Sequence, residues 1–245
     1  MNDFEINFEW GEKGMLAYRD QSDIMIVVDV LSFSTCVSIC VNRGATVYPY
    51  LWKDERANDF AKKKGAILAG KRGKAQYSLS PASLKDIPLN SSIVLPSPNG
   101  STISLLGKNR KTIAGCIRNA EACARYAAKA GQKITLIAAG ERWEDNSLRP
   151  SLEDQLGCGM IISYLTGNKS PEALAAENVY LSLKEHLEER LQDCLSGKEL
   201  IDRGYEVDVD FAVQANVDEV IPVLTDGMYV GVDQKKKPKT NSKKS

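Results

Sequence analysis

The stretch Ile24-Met25-Ile26-Val27-Val28-Asp29-Val30, continuing as Leu31-Ser32-Phe33-Ser34-Thr35, sets the reading of the whole chain. Apart from Asp29 its first part is continuously apolar, the pattern of a strand covered on both faces. Thr35 to Arg43 then has the spacing of a helix, and Gly44 stops it. Outward from this unit the same alternation recurs. Phe4, Ile6, Phe8 and Trp10 alternate as a half-buried strand. Further strands are expected at 45–50, 66–69, 92–95, 112–116 and 133–138. Helices are expected from Asp54 to Gly65, from Asn99–Thr102 onward, from Asn119 to Gly131 and from Ser151 to about Leu165. A longer helix opens at Ser170-Pro171, with proline at its first position. Residues 219–224 and 228–232 read as a closing hairpin around Thr225-Asp226-Gly227. Strand and helix alternating throughout means an α/β protein with a largely parallel sheet. IVVDVLSFST and IVLPSPNGST are each a strand, a turn and a Ser-Thr pair opening a helix. A distant duplication explains that likeness, and convergence on good turn chemistry explains it almost as well.

Composition narrows the function classes. Lys+Arg and Asp+Glu are equal at 32, but the segment 234–245 holds six lysines and no acid. Without it the balance is 26 basic against 32 acidic, a net charge of −6, which argues against a nucleic-acid-binding domain. The segment itself (KKKPKTNSKK) is too polar to fold and is expected to be a disordered basic tail. No apolar run reaches membrane-spanning length and the N-terminus does not read as a signal peptide, so a cytoplasmic protein with no membrane partner is expected. The six cysteines form no CxxC pair and mostly sit in apolar stretches, as small buried hydrophobes do. One histidine, His186, lies in a charged helical stretch. Its place speaks against a histidine triad, a single histidine speaks against multi-histidine metal sites, and any metal is expected to be held mainly by oxygens, which favours magnesium or a similar hard ion.

Ligands in open α/β sheets bind at the carboxyl ends of strands. Three such ends are polar here: Asp29 to Thr35, Ser97 to Thr102, and Gly140 through Glu141 and Arg142 to Ser151, Glu153 and Asp154. The first two put hydroxyls and free backbone N–H groups at helix N-termini, which suit anions. The third brings two carboxylates. Together they suggest a phosphate site with an oxygen-ligated cation. Taken singly, Ser34, Thr35, Ser101 and Thr102 are better explained as helix caps, and Ser151-Leu152-Glu153-Asp154 resembles a capping box, which accounts for Asp154 better than for Glu153. Asp29 interrupts an apolar strand where a site would lie, and is read as functional. The P-loop start at Gly65–Lys71 fails because Arg72 replaces the magnesium-binding hydroxyl. Gly157-Cys158-Gly159 reads as close helix packing, and Asp208-Val209-Asp210 lacks the residues that a nucleophilic aspartate pair requires.

Read together, the strand ends resemble the motifs of the 2-phosphosulfolactate phosphatase family, in order, from about Ile24 to Val230. D-V-L-R-A-T/S-T appears as Asp29-Val30-Leu31-Ser32-Phe33-Ser34-Thr35, and A-G-E-R as Ala69-Gly70-Lys71-Arg72. G-N-S-P is reduced to Ser80-Pro81, and T-N-G-T is Pro98-Asn99-Gly100-Ser101. A-G and S-L-E-D are Ala139-Gly140 and, after a longer loop, Ser151-Leu152-Glu153-Asp154. V-P-V-L-x-D-G is similar to Ile221-Pro222-Val223-Leu224-Thr225-Asp226-Gly227. Three departures stand out: Ser32 replaces an arginine, Lys71 a glutamate, and Ser78-Leu79 the G-N pair.

The resemblance implies a three-layer α/β/α fold with a largely parallel or mixed sheet, built as one phosphatase-like domain over 1–233. It implies a magnesium-dependent phosphomonoester hydrolase converting 2-phospho-3-sulfolactate and water to 3-sulfolactate and phosphate, a step towards coenzyme M. Asp29, Glu153 and Asp154 are then the expected catalytic and Mg2+-binding residues. Asp29 has three open roles: nucleophile, general base or metal ligand. Ser34, Thr35, Arg72, Asn99, Gly100, Ser101, Thr102 and Arg142 are the expected substrate-binding set. The departures point to a small anionic phosphoester of different shape, with Lys71 and Arg142 replacing charge lost at Ser32. The rival reading is a non-catalytic anion-binding protein that keeps the fold. No partner protein is signalled, and a homo-oligomer is neither required nor excluded.

Overall fold

Nine strands form one mixed sheet in the computed structural model, which describes residues 4–51 and 54–233. The strands are β1 (Ile6–Trp10), β2 (Ile24–Val28), β3 (Thr46–Leu51), β4 (Ile67–Leu68), β5 (Ser92–Ser97), β6 (Thr112–Gly115), β7 (Ile134–Ala138), β10 (Ile221–Thr225) and β11 (Met228–Val232). A separate small hairpin pairs β8 (Glu141–Arg142) with β9 (Leu148–Arg149). The sheet order is β1-β7-β2-β6-β10-β11-β3-β5-β4. β1, β7, β2 and β6 are mutually parallel, as are β3, β5 and β4. The β10–β11 hairpin joins the two blocks by antiparallel pairs on both sides. The hairpin expected to close the chain is therefore the centre of the sheet, and it reverses the direction of one block relative to the other.

β2 confirms why its sequence reads as continuous apolar. Ile24, Ile26 and Val28 face one core with α6 (Ala120–Ala130), α7 (Leu152–Ser163) and α8 (Pro171–Leu183). Met25 and Val27 face another with Met15 of α1 (Gly11–Tyr18) and Ile103 of α5 (Gly100–Leu106). Successive strand side chains point to opposite faces, so a strand between two helical layers cannot alternate polar and apolar. α2 (Phe33–Asn42) is buried from Phe33 to Val41 and packs in a third cluster with β3 and β5. Gly157 lets α7 press onto β2: a Cβ there would lie 2.7 Å from Val30 Cγ2. The glycine pair is thus packing, as its place in the helix suggests.

Helices α3 (Ala57–Lys64), α4 (Pro81–Leu84), α9 (Leu187–Asp193), α10 (Leu195–Asp202) and α11 (Glu206–Ala212) complete the layers. α1 was not legible in the sequence, because Gly11 and Gly14 sit in its first turn and break its helical signature. All six cysteines are free and buried. Among the described residues no helix is long and apolar enough to cross a membrane. The basic segment 234–245 lies outside the described residues.

Candidate active site

Four strands separate β2 from β5 in the sheet order, yet their carboxyl ends meet. Phe33 N–H, at the start of α2, donates to Asp29 Oδ1 at 2.9 Å, and Gly100 N–H, at the start of α5, donates to Asp29 Oδ2 at 2.9 Å. Helix N-termini attract anions through unpaired N–H groups and their dipole. The anion they hold here is Asp29's own carboxylate. Gly100 is a glycine for a steric reason, since a Cβ would stand 2.6 Å from Asp29 Oδ2 and 2.4 Å from Phe33 Cδ1.

The hydroxyls at these turns lock the backbone. Ser34 Oγ donates to Val27 O and accepts from Asp29 N–H, both at 3.0 Å, and Thr35 Oγ1 donates to Val30 O at 2.7 Å. Ser101 Oγ donates to Leu95 O and Thr102 Oγ1 to Pro98 O. Each spends its proton on a carbonyl of its own strand or turn. The structure thus brings these four residues to the site as its frame.

Asp154 ties the third strand end to the first. Its Oδ1 accepts from Val30 N–H at 2.7 Å, and its Oδ2 from Gly140 N–H and Ser151 Oγ–H, both at 2.8 Å. Ser151 therefore serves the acid and makes no side-chain cap to its helix. Glu153 is different. It is 2% exposed, and its side-chain contact among the described residues is the weak Cys194 thiol donor at 3.4 Å.

Glu141, at the start of the β8–β9 hairpin, completes a group of four carboxylates. Asn99 Nδ2 donates to its Oε2 at 3.0 Å. Burial, then repulsion from Asp29 and Glu153, pushes its carboxyl up to about 7, while Arg149 pulls the other way. Burial foremost, with repulsion from Glu153, raises Asp29 to about 6, although the N–H groups of Phe33 and Gly100 oppose it. Asp154 is raised well above the ordinary range by burial and by the charges of Glu153 and Asp29. Glu141 was visible in the sequence only as part of a polar loop. Its partner Asn99 lies 42 residues away, so no local signal marked it.

The site opens into a cleft of about 790 Å³, to whose lining Glu141, Leu31, Pro98, Lys71 and Arg72 contribute. Arg72 Nη2 donates to Ser32 Oγ at 3.0 Å and also to Leu79 O, and its Nη1 stands 3.0 Å from Asp208 Oδ2. Two of the three departures from the family motifs thus meet at one guanidinium. Asp208, 1% exposed, also accepts from Ser80 Oγ and Ala82 N–H, which makes it a support for Arg72. Lys71 is exposed at the mouth. Arg142 is tied to Glu12 and to Asn146 O, and reaches the site only through Asn99 Oδ1 at 3.3 Å.

Across this frame a family model described as 2-phosphosulpholactate phosphatase matches residues 13–227. The chain belongs to that family. Among its curated relatives, a probable 2-phosphosulfolactate phosphatase of Carboxydothermus hydrogenoformans is 32% identical over 208 residues, covering 81% of this chain and 84% of the relative. One from Thermotoga maritima is 28% identical, covering 84% and 90%. The 2-phosphosulfolactate phosphatase of Methanocaldococcus jannaschii is 27% identical, covering 79% and 85%. These relatives are named as phosphatases or probable phosphatases.

Every candidate ligand is a carboxylate oxygen, and the carboxylates repel one another in a buried place. Among the described residues no three His, Cys, Asp or Glu side chains are arranged to hold a metal directly. Magnesium does not require that. It commonly keeps several waters and takes one or two carboxylates plus substrate phosphate. Asp29 and Glu153 fit such a set, whereas Asp154 is already committed to three donors.

Proposed function

We propose that the chain is a magnesium-dependent phosphomonoester hydrolase acting on a small anionic phosphoester of the 2-phospho-3-sulfolactate kind, with a preferred alcohol of its own. Glu153 is the observation that carries the cation reading. Among the described residues this carboxylate, 2% exposed, has a thiol at 3.4 Å and no charge partner, and an isolated buried charge is costly. Glu153 and Asp29 would hold the ion, with Asp154 as a positioning residue that fixes both loops. When bound, Mg2+ neutralises phosphoryl oxygens and lowers the pKa of water.

The remaining roles belong to side chains. Arg72, held by Asp208, Ser32 and Leu79, supplies positive charge towards the ester's anionic oxygens, with Lys71 beside it at the mouth. Water attacks phosphorus, the bond from phosphorus to the ester oxygen breaks, and the proton lost by water ends on the departing alkoxide. Glu141, oriented by Asn99, is the group placed to move that proton. The products are an alcohol and inorganic phosphate.

Phosphate release from a phosphoester panel tests the reading. We expect activity with Mg2+, its loss with a chelator, its return on adding Mg2+, and a fall of at least about a hundredfold in Asp29→Asn. Calorimetric binding without release across the panel and several divalent metals would establish the anion-binding rival.

A further inference from the structure

The cleft is larger than its polar groups require, and most of its wall is apolar. Leu51 ends β3, Leu68 ends β4 and Pro96 lies near the end of β5. These three neighbouring strands form one wall, with Leu79 beside Arg72. Leu200 of α10 and Tyr205 face into the same cleft. Its volume of about 790 Å³ falls among pockets that enclose ligands with a substantial carbon skeleton. Leu51 is 43% exposed, a large apolar side chain left in contact with water.

The cations of the cleft are few and mostly engaged. Arg72 is held by Asp208, and Arg203 stands 4.0 Å from Glu199. Lys71 makes no ion pair among the described residues. That leaves enough positive charge at the mouth for a phosphate, but no free planar fork deeper in. A sulfonate or carboxylate placed among Leu51, Leu68 and Leu200 would lose its water without gaining a partner. An alkyl group there removes apolar surface from water.

We infer that the substrate is a phosphomonoester whose alcohol carries an apolar substituent of several carbons, seated among Leu51, Leu68, Leu79, Leu200 and Tyr205. The assignment of the phosphate end rests on the hydrolase reading above. Ser32 and Leu79, which stand where the family motifs have arginine and asparagine, are the sequence changes that this substrate exploits.

The probe is a series of n-alkylphosphonates, methyl to hexyl, titrated calorimetrically into the full chain with Mg2+ present. Kd should fall by about fourfold per methylene over the first members, the fold-change that burial of one CH2 gives. A sulfonate-bearing phosphonate of equal length should bind more weakly than its alkyl counterpart. Leu200→Asn should flatten the chain-length dependence without adding a charge to the cleft. Leu51→Asp should flatten it partly, and because Leu51 is 43% exposed that variant keeps the fold. A flat series, tighter binding of the sulfonate, or no phosphonate binding at all would overturn the inference. Phosphate release from the matching alkyl phosphates separates the two proposals. Length-dependent binding without release overturns the hydrolase reading alone, and release without length dependence overturns this inference alone.

Discussion

Glu141→Gln should stabilise the metal-free protein at pH 8 and do so much less at pH 5. Glu141 is held close to Asp29 and Glu153, and its carboxyl is pushed from an ordinary 4.5 up to about 7. Below pH 4.5 the group is protonated in the folded and unfolded chains alike and contributes nothing. As pH rises, the unfolded chain gives up the proton near 4.5 while the folded chain keeps it to about 7. The folded state binds more protons across that interval, so stability falls with rising pH and stays lower above it. Such a difference corresponds to on the order of 3 kcal/mol, reduced to roughly 2 kcal/mol because the carboxyl is not fully enclosed. Glutamine keeps an oxygen for the Asn99 Nδ2 bond and removes the charge. For a chain of this length the gain is roughly 4–8 °C in Tm at pH 8. Thermal melts in a chelating buffer at pH 5 and pH 8 check it. Equal shifts at both pH values, or a lower Tm at pH 8, would refute the electrostatic reasoning.

Three further perturbations follow from the same geometry. Gly100→Ala should displace the Asp29 carboxylate, because the added methyl would lie 2.6 Å from Oδ2. Phosphate release should drop at least about tenfold while cooperative unfolding persists. Asp154→Ala strands the buried N–H groups of Val30 and Gly140. Urea unfolding should show a loss of about 2–4 kcal/mol, and Asp154→Asn should recover part of it. Arg118 pairs with Asp218 at 2.8 Å, with both side chains under 10% exposed, so Arg118→Ala leaves a buried charge alone. The loss expected in the same assay is about 3–5 kcal/mol, relieved by adding Asp218→Asn.

Local sequence determined the elements. The unbroken apolar run at Ile24–Val28, the glycine at Gly65 with its φ of 60°, and Pro171 after Ser170 each specify structure from a few adjacent residues. Asp29 stood out in the sequence because a single acid directly after a doubly covered strand has no packing reason to be there. The placement of the β10–β11 hairpin was not legible. Its residues read as strands whether they close the sheet or divide it, and pairing partners 110 residues away decide which. That choice reverses one parallel block and brings Gly100 onto Asp29, so the helix N-termini that seemed set for a substrate anion hold a side chain instead. Glu141 became a site residue only through Asn99 and the charges of Asp29 and Glu153, none of them its neighbours in sequence. Sequence determines which groups can ionise and which backbone they ride on. Burial and the approach of distant charges, which set what those groups do, exist only once the chain has folded.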